Sequence, residues 1–292
     1  MIDVENFAQE LKLARRNLSR SSEERSTREL LRALDRIEAL ALRRPKVALL
    51  GEPNAGKTSL ANALLGVSLL PESSLANTTA PTVLLHGEKL EAFAVTCSGR
   101  KRLDIAALAS VASLSIKRLE ISLPSARLKS YDVVDTPGIA HESEAFPLTP
   151  LDVPVWCTVA GQAWKESERS MWDGLPRRLR QSAILAVTSS DMLKDPKFVE
   201  KVRARLSEET EGLFRAIVFT SIAREDGEAR VANNLGIASL ERAISDVISS
   251  RAVRSRRTAR RITGRILSVA GDQLPQPPHG QHRLAEHRVE GL

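Results

Sequence analysis

One octapeptide constrains this chain more than any other feature: Gly51-Glu52-Pro53-Asn54-Ala55-Gly56-Lys57-Thr58. It has the pattern G-x-x-x-x-G-K-[ST], in which a glycine-bearing loop turns its backbone N–H groups toward the phosphates of a nucleoside triphosphate. The apolar run Val47-Ala48-Leu49-Leu50 precedes it, and Ser59-Leu60-Ala61-Asn62-Ala63-Leu64-Leu65 comes after it with a helical pattern. Strand, loop and helix in that order distinguish a phosphate loop from a chance match. The helix start adds unpaired N–H groups and the positive end of its dipole. Residues 51–58 and Ser59 are therefore the candidate nucleotide contacts. Lys57 brings a point charge toward the β- and γ-phosphates, and Thr58 offers its hydroxyl to Mg²⁺.

The pattern around this loop predicts an α/β fold. Strands are expected at 46–50, 82–86, 91–97, 119–123, 130–135, 153–160, 182–188 and 215–220, and helices at 57–65, 103–114, 164–172, 197–209 and 237–250. Such alternation favours a mainly parallel sheet with helices on both faces, binding ligand at the carboxyl ends of its strands. The chain divides into three segments: a helical one at 1–44, the nucleotide-binding domain at 45–250, and a basic helix with a disordered tail at 251–292. In the first, Leu11, Ala14 and Leu18 share one helical face and Leu30, Leu31, Leu34, Ile37 and Leu42 another, with Ser19-Arg20-Ser21-Ser22 as the break. Helices of this kind need a packing partner.

Charge separates the segments. Residues 251–292 hold nine arginines against Asp272, Glu286 and Glu290, a net of +6, leaving +1 for the preceding 250 residues. A basic end suits anionic lipid, nucleic acid or an acidic partner, or forms a solvated helix face. Aromatic residues are 3% of the chain, which disfavours a stacking surface for single-stranded nucleic acid. Cys97 and Cys157 form neither a metal spacing nor a disulfide framework, and the start Met1-Ile2-Asp3-Val4-Glu5 lacks signal-peptide features. Nothing approaches the ~18 consecutive apolar residues of a membrane span. A cytoplasmic protein is expected. The histidines 86, 141, 279, 282 and 287 show no metal grouping, and Trp156, Trp164 and Trp172 are expected in the core or at a dimer interface.

Three further loops turn the phosphate loop toward guanine nucleotides. Asp135-Thr136-Pro137-Gly138 comes directly after an apolar strand. Its aspartate suits a Mg²⁺ site, and the N–H of Gly138 suits the γ-phosphate. Thr78-Thr79-Ala80-Pro81-Thr82 offers two adjacent threonines, Thr78 and Thr79, either of which can cap Mg²⁺. Thr188-Ser189-Ser190-Asp191 occupies the place of an [NT]-K-x-D loop. Asp191 can accept the paired N–H donors of guanine, which adenine lacks, while Ser189 replaces the lysine whose stem covers the base. Ser221-Ile222-Ala223 resembles the turn whose backbone touches the base.

The string Gly51 to Gly66, then Leu70-Pro71, Thr78 to Thr82, Leu123-Pro124-Ser125 and Val134 to Ile139, resembles bacterial dynamin-like GTPases over roughly 45–250. The resemblance implies a P-loop GTPase fold of dynamin type, GTP hydrolysis with Mg²⁺, nucleotide-dependent homodimerisation across the site, and work on membranes. Dynamins continue into a long helical stalk. Here that stalk is expected to be largely absent, with 1–44 and 237–270 forming a short helical neck and a stalk-bearing partner supplying the remainder. Pro53-Asn54 departs from the usual dynamin loop and is similar to potassium-activated GTPases, in which the asparagine helps ligate a monovalent cation.

The position after the switch glycine is Ile139, which cannot orient water as glutamine does in Ras-type enzymes. K⁺ or Na⁺ held partly by Asn54 is the expected substitute, giving Asn54, Lys57, Thr78, Thr79 and Gly138 as catalytic candidates. Asn54 as a simple loop stabiliser is the competing expectation. Three functions remain open: a dynamin-like GTPase peripheral to the inner face of a membrane, a potassium-activated GTPase of RNA or ribosome work, and a nucleotide-sensing switch with little turnover. Nucleic acid is the less favoured partner.

Overall fold

The computed structural model describes residues 25–71, 80–110, 116–138, 151–222 and 235–272, with Lys12, Arg15, Arg16, Arg224, Glu225, Glu228 and Ala229. Helix α1 covers Arg25–Leu42, and strand β1 (Lys46–Leu50) leads through the phosphate loop into α2 (Lys57–Leu65). Five strands come next: β2 (Thr82–His86), β3 (Glu91–Thr96), β4 (Gly99–Leu103), β5 (Ile116–Leu123) and β6 (Asp132–Asp135). After them lie β7 (Val153–Val159), α3 (Glu166–Asp173), α4 (Arg177–Arg180), β8 (Ile184–Thr188), α5 (Pro196–Glu209) and β9 (Ile217–Phe219). A short hairpin, β10 (Arg224–Glu225) and β11 (Glu228–Ala229), precedes the last helix, α6 (Ile237–Asp272).

Two compact units divide the chain: Arg44–Arg251, and Met1–Arg43 with Ala252–Leu292. In the smaller unit Leu34 is buried, Arg15 pairs with Asp35, and Arg254, Arg257 and Arg261 are exposed along one helix. The larger unit is built on a nine-stranded sheet ordered β4-β3-β5-β2-β6-β1-β7-β8-β9. From β6 through β1, β7 and β8 to β9 every pairing is parallel. Strands β1, β6, β7 and β8 are buried almost throughout, which is why they read as continuous apolar runs.

The faces separate by residue parity. Val47, Leu49, Val133, Val155 and Ile184 pack with Leu60 and Leu64 of α2 and with Ile237, Leu240, Ile244 and Val247 of α6. Ala48, Leu50, Val134, Trp156 and Leu185 pack on the other side with Trp172, Leu179 and Leu206 from α3, α4 and α5. Helices on both faces and a predominantly parallel sheet agree with the expected P-loop GTPase fold.

The other end of the sheet departs from the simple parallel pattern. β2 runs antiparallel to β6, and β3 runs antiparallel to both β4 and β5. Strand β4 is not among the expected strands, because Gly99-Arg100-Lys101-Arg102-Leu103 has no apolar alternation. It exists through its ladder to β3 and through Arg100, whose guanidinium lies 3.5 Å over the Phe93 ring. This strand displaces the helix expected from 103. In its place stands a 3₁₀ turn, Ile105–Ser110, started by the Asp104 carboxylate accepting the Ala106 N–H at 3.1 Å; residues 111–115 lie outside the described set.

The helix expected from 164 begins at Glu166, since Trp164 adopts a left-handed φ of 62°. Trp164 and Trp172 therefore do not share a helix face. They meet in the core, where Trp156, Trp164, Trp172 and Phe214 pack edge-on or tilted with centroids 4.3 to 6.4 Å apart. Helix α6 runs without a break from the expected helix at 237–250 into the basic helix expected after 251, as far as Asp272.

Candidate functional site: a phosphate loop with a carboxylate beneath it

Parallel strands place the ends of β1, β6, β8 and β9 along one edge, and all the described candidate residues are gathered there. The loop after β1 owes its shape to Gly51 (φ 136°), Asn54 (φ 61°) and Gly56 (φ 77°). At Gly51 a side chain would also collide with the Cys157 carbonyl oxygen, so the loop lies directly on β7. Asparagine tolerates the left-handed region better than most residues, which supports a conformational role for Asn54; its side chain is exposed.

Lys57 is buried and folds back over the loop. Its ammonium donates to the Glu52 carbonyl at 2.6 Å and to the Gly51 carbonyl at 3.2 Å. Burial pulls its pKa down, offset in part by Cys157, Asp135 and Glu52. From below, the Thr188 hydroxyl donates to the carbonyls of Ala55 (3.0 Å) and Thr158 (3.1 Å). Thr188 is expected among the nucleotide contacts; the structure commits its hydroxyl to holding the loop. Thr136 does similar work, donating to the Leu49 carbonyl at 2.6 Å.

The Thr58 hydroxyl donates to Asp135 Oδ2 at 2.8 Å, bringing together the two residues expected at Mg²⁺. Asp135 Oδ1 is buried and has no hydrogen-bond partner. Burial raises the Asp135 pKa to about 6, against the lowering effects of the Thr58 hydrogen bond and the Lys57 charge. A half-buried hydroxyl beside a buried carboxylate with one orphaned oxygen is a hard-oxygen site that fits a small divalent cation. Among the described residues no group of three or more His, Cys, Asp or Glu forms, so such an ion would complete its shell from phosphate and water. Gly138 lies against the loop: a Cβ there would sit 2.6 Å from the Pro53 nitrogen. Thr78, Thr79, Ile139 and His141 lie outside the described residues.

At the other end of the edge, Asp191 is exposed in a 3₁₀ turn, and the Ser221 hydroxyl donates to its Oδ1 at 2.6 Å. Ser189 takes a left-handed φ of 52°, and the Ser190 N–H donates to the Thr220 carbonyl at 3.1 Å. Ile222 is next to Ser221 at this rim and is partly exposed; Ala223 is outside the described residues.

One grip on the loop has no counterpart in the sequence expectations. Glu52 receives a hydrogen bond from Ser167 Oγ (2.6 Å) and an ion pair from Lys165 (2.6 Å), both at the start of α3. Glu168, 2% exposed, anchors that helix start by accepting from Thr158 Oγ1 (2.9 Å), Trp156 Nε1 (3.3 Å) and the Lys165 N–H (3.1 Å). Burial raises the Glu168 pKa despite these bonds. A glutamate three residues into a helix is a capping signal visible in sequence. Its contact with the phosphate loop's neighbour strand is not.

The loop, the carboxylate and the sheet order together agree with the α/β fold of P-loop GTPases. Residues 47–146 match the model of the dynamin family. Two solved structures of an oligomerised bacterial dynamin pair, described as a mechanism for long-range sensing and tethering of membranes, share the fold. One is 18% identical, with 92% of this chain and 46% of that chain covered at a TM-score of 0.63. The other is 18% identical, with 91% and 43% covered at a TM-score of 0.58. The chain thus spans less than half the length of either. No curated protein matches it. Residues 47–146 are thus similar to the dynamin family, and the fold is shared with the bacterial dynamin pair.

Proposed function

We propose that this protein binds GTP with Mg²⁺ and hydrolyses it to GDP and phosphate as a dynamin-like GTPase. The observation that carries the reading is the Thr58–Asp135 pair beneath the loop, with Asp135 Oδ1 unpartnered. Gly51 through Ser59 cradle the phosphates, with Lys57 exchanging carbonyl partners for phosphate oxygens. Thr58 and Asp135, with Thr78 or Thr79, hold Mg²⁺, which supplies charge stabilisation at the γ-phosphate. Gly138 offers its N–H to the same phosphate. Asp191, steadied by Ser221, reads the guanine edge, and Ile222 contributes backbone beside the base.

Hydrolysis needs positive charge where Ile139 provides none. Asn54, exposed on the loop, helps place K⁺ or Na⁺ there, and a second copy of the chain closing over the site completes that shell. The exposed face of Arg254, Arg257 and Arg261 serves anionic lipid or an acidic, stalk-bearing partner. Among the described residues no helix is long and apolar enough to cross a membrane.

The test combines GTP turnover with gel filtration in KCl, NaCl and choline chloride, with GDP and with a transition-state mimic. Turnover that depends on K⁺ or Na⁺, with a dimer formed only with the mimic, is expected. Equal rates in all three salts would remove the cation from the mechanism. Absence of turnover at high protein concentration would leave a nucleotide-sensing switch.

A further inference from the structure

We propose that Leu235 covers one face of the purine base, supplying the apolar half of base recognition that Ser189 cannot. This rests on the nucleotide-binding reading above and assigns it a specific residue. Leu235 is 66% exposed, one of few large apolar side chains left so open on the described surface. It is paired with Ser221 in an antiparallel bridge, and the Ser221 N–H donates to the Leu235 carbonyl at 3.1 Å. Opposed residues of an antiparallel pair project to the same side, with Cβ atoms about 4.5–5.5 Å apart. The Ser221 side chain on that side reaches the Asp191 carboxylate. Leu235 therefore stands beside the group that reads the base edge.

Its backbone is held firmly. Gly236 has φ 80°, and a side chain there would collide with the Phe219 carbonyl oxygen, so the chain is pressed onto the end of β9. The next residue, Ile237, is buried and opens α6. An exposed leucine whose backbone is fixed by the bridge to Ser221 and by the seated Gly236 is pre-organised to pack on a ligand. Ser189, short and turned into the left-handed region, has no stem to lay across a ring. Ligand pockets pair an apolar surface with a few polar groups that fix orientation. Here Leu235 is the surface, and Asp191 with Ser221 are the polar groups.

Calorimetric titration of the full chain with GDP, ADP and inorganic tripolyphosphate tests the assignment, using Leu235→Ala and Leu235→Met. Leu235→Ala should weaken GDP and ADP by a similar factor, about tenfold, because an apolar contact does not distinguish purine edges. Tripolyphosphate, which has no base, should bind all forms equally, and Leu235→Met should retain GDP affinity. GDP affinity unchanged in Leu235→Ala, or an equal loss for tripolyphosphate, overturns the role of Leu235 alone. No GDP binding by the unaltered protein overturns the nucleotide reading and this inference with it.

Discussion

The two ends of the site are built on opposite principles. At the phosphate end the polar groups are buried or half-buried and tied down: Lys57 to two carbonyls, Thr188 to two more, Thr58 to Asp135, and Glu52 to Ser167 and Lys165. At the base end Asp191 and Leu235 are exposed, Ser189 is short, and one hydrogen bond from Ser221 steadies the carboxylate. Phosphate chemistry is common to every nucleotide and needs a fixed cradle of charge and N–H groups. Base recognition needs little more than one correctly placed acceptor and a surface. A loop under close constraint thus sits beside a rim open to variation.

Substitutions should expose that contrast. The largest effect is expected for Gly51→Ala, whose methyl meets the Cys157 carbonyl at a positive φ. A loss of about 3 kcal/mol or more in chemical denaturation is expected, and an unchanged midpoint would mean the loop is not seated on β7 as described.

Next is the pH dependence of the empty protein, compared with Asp135→Asn. The folded carboxyl has its pKa raised to about 6, so the folded state holds the proton more tightly than the unfolded chain. That contribution is complete below about pH 4 and is lost as pH rises through about 6. Relative to Asp135→Asn, the unaltered protein should lose up to about 3 kcal/mol across that window in Mg²⁺-free denaturation curves. Parallel curves for the two proteins would place Asp135 in a more solvated setting.

Lys57→Ala should weaken GTP and GDP about a hundredfold by titration, since a buried charge-assisted contact is lost. A change of only twofold would shift the phosphate-binding role onto the backbone N–H groups. At the base end, Asp191→Asn should leave tripolyphosphate binding intact and reduce the preference for GTP over ATP about tenfold or more. An intact preference would move base selection elsewhere on the rim. The smallest effect belongs to Ser189→Gly, within about 0.5 kcal/mol, because glycine accepts the φ of 52° that serine already adopts. A large loss there would erase the distinction between a constrained loop and an open rim.

The same contrast governs how far the sequence could be read. The phosphate loop, β1 and α2 are continuous in sequence, so motif, strand and helix could be placed at 46–50 and 57–65, as the structure has them. The edge strand β4 could not, because its residues carry no apolar alternation and its order comes from the ladder to β3. Thr188 looks like a base-loop residue by position; only the fold shows its buried hydroxyl bonded to the Ala55 carbonyl. Glu52 reads as one more loop residue until Ser167 and Lys165, far along the chain, close on it. Leu235 carries no signal at all, since its place depends on a pairing with Ser221 across an intervening hairpin.

The sequence by itself determined the chemistry of the phosphate cradle. The residues from Gly51 to Ser59 are adjacent, and their glycines, lysine and threonine suit one conformation and one kind of ligand. Tertiary structure decided what holds that loop and which residues line the rim at Asp191. Those contacts join residues brought together only by the parallel sheet: Gly51 with Cys157, Thr58 with Asp135, Asp191 with Ser221. Local pattern specifies short-range geometry, whereas burial, the raised pKa of Asp135 and the position of Leu235 arise from packing between distant segments.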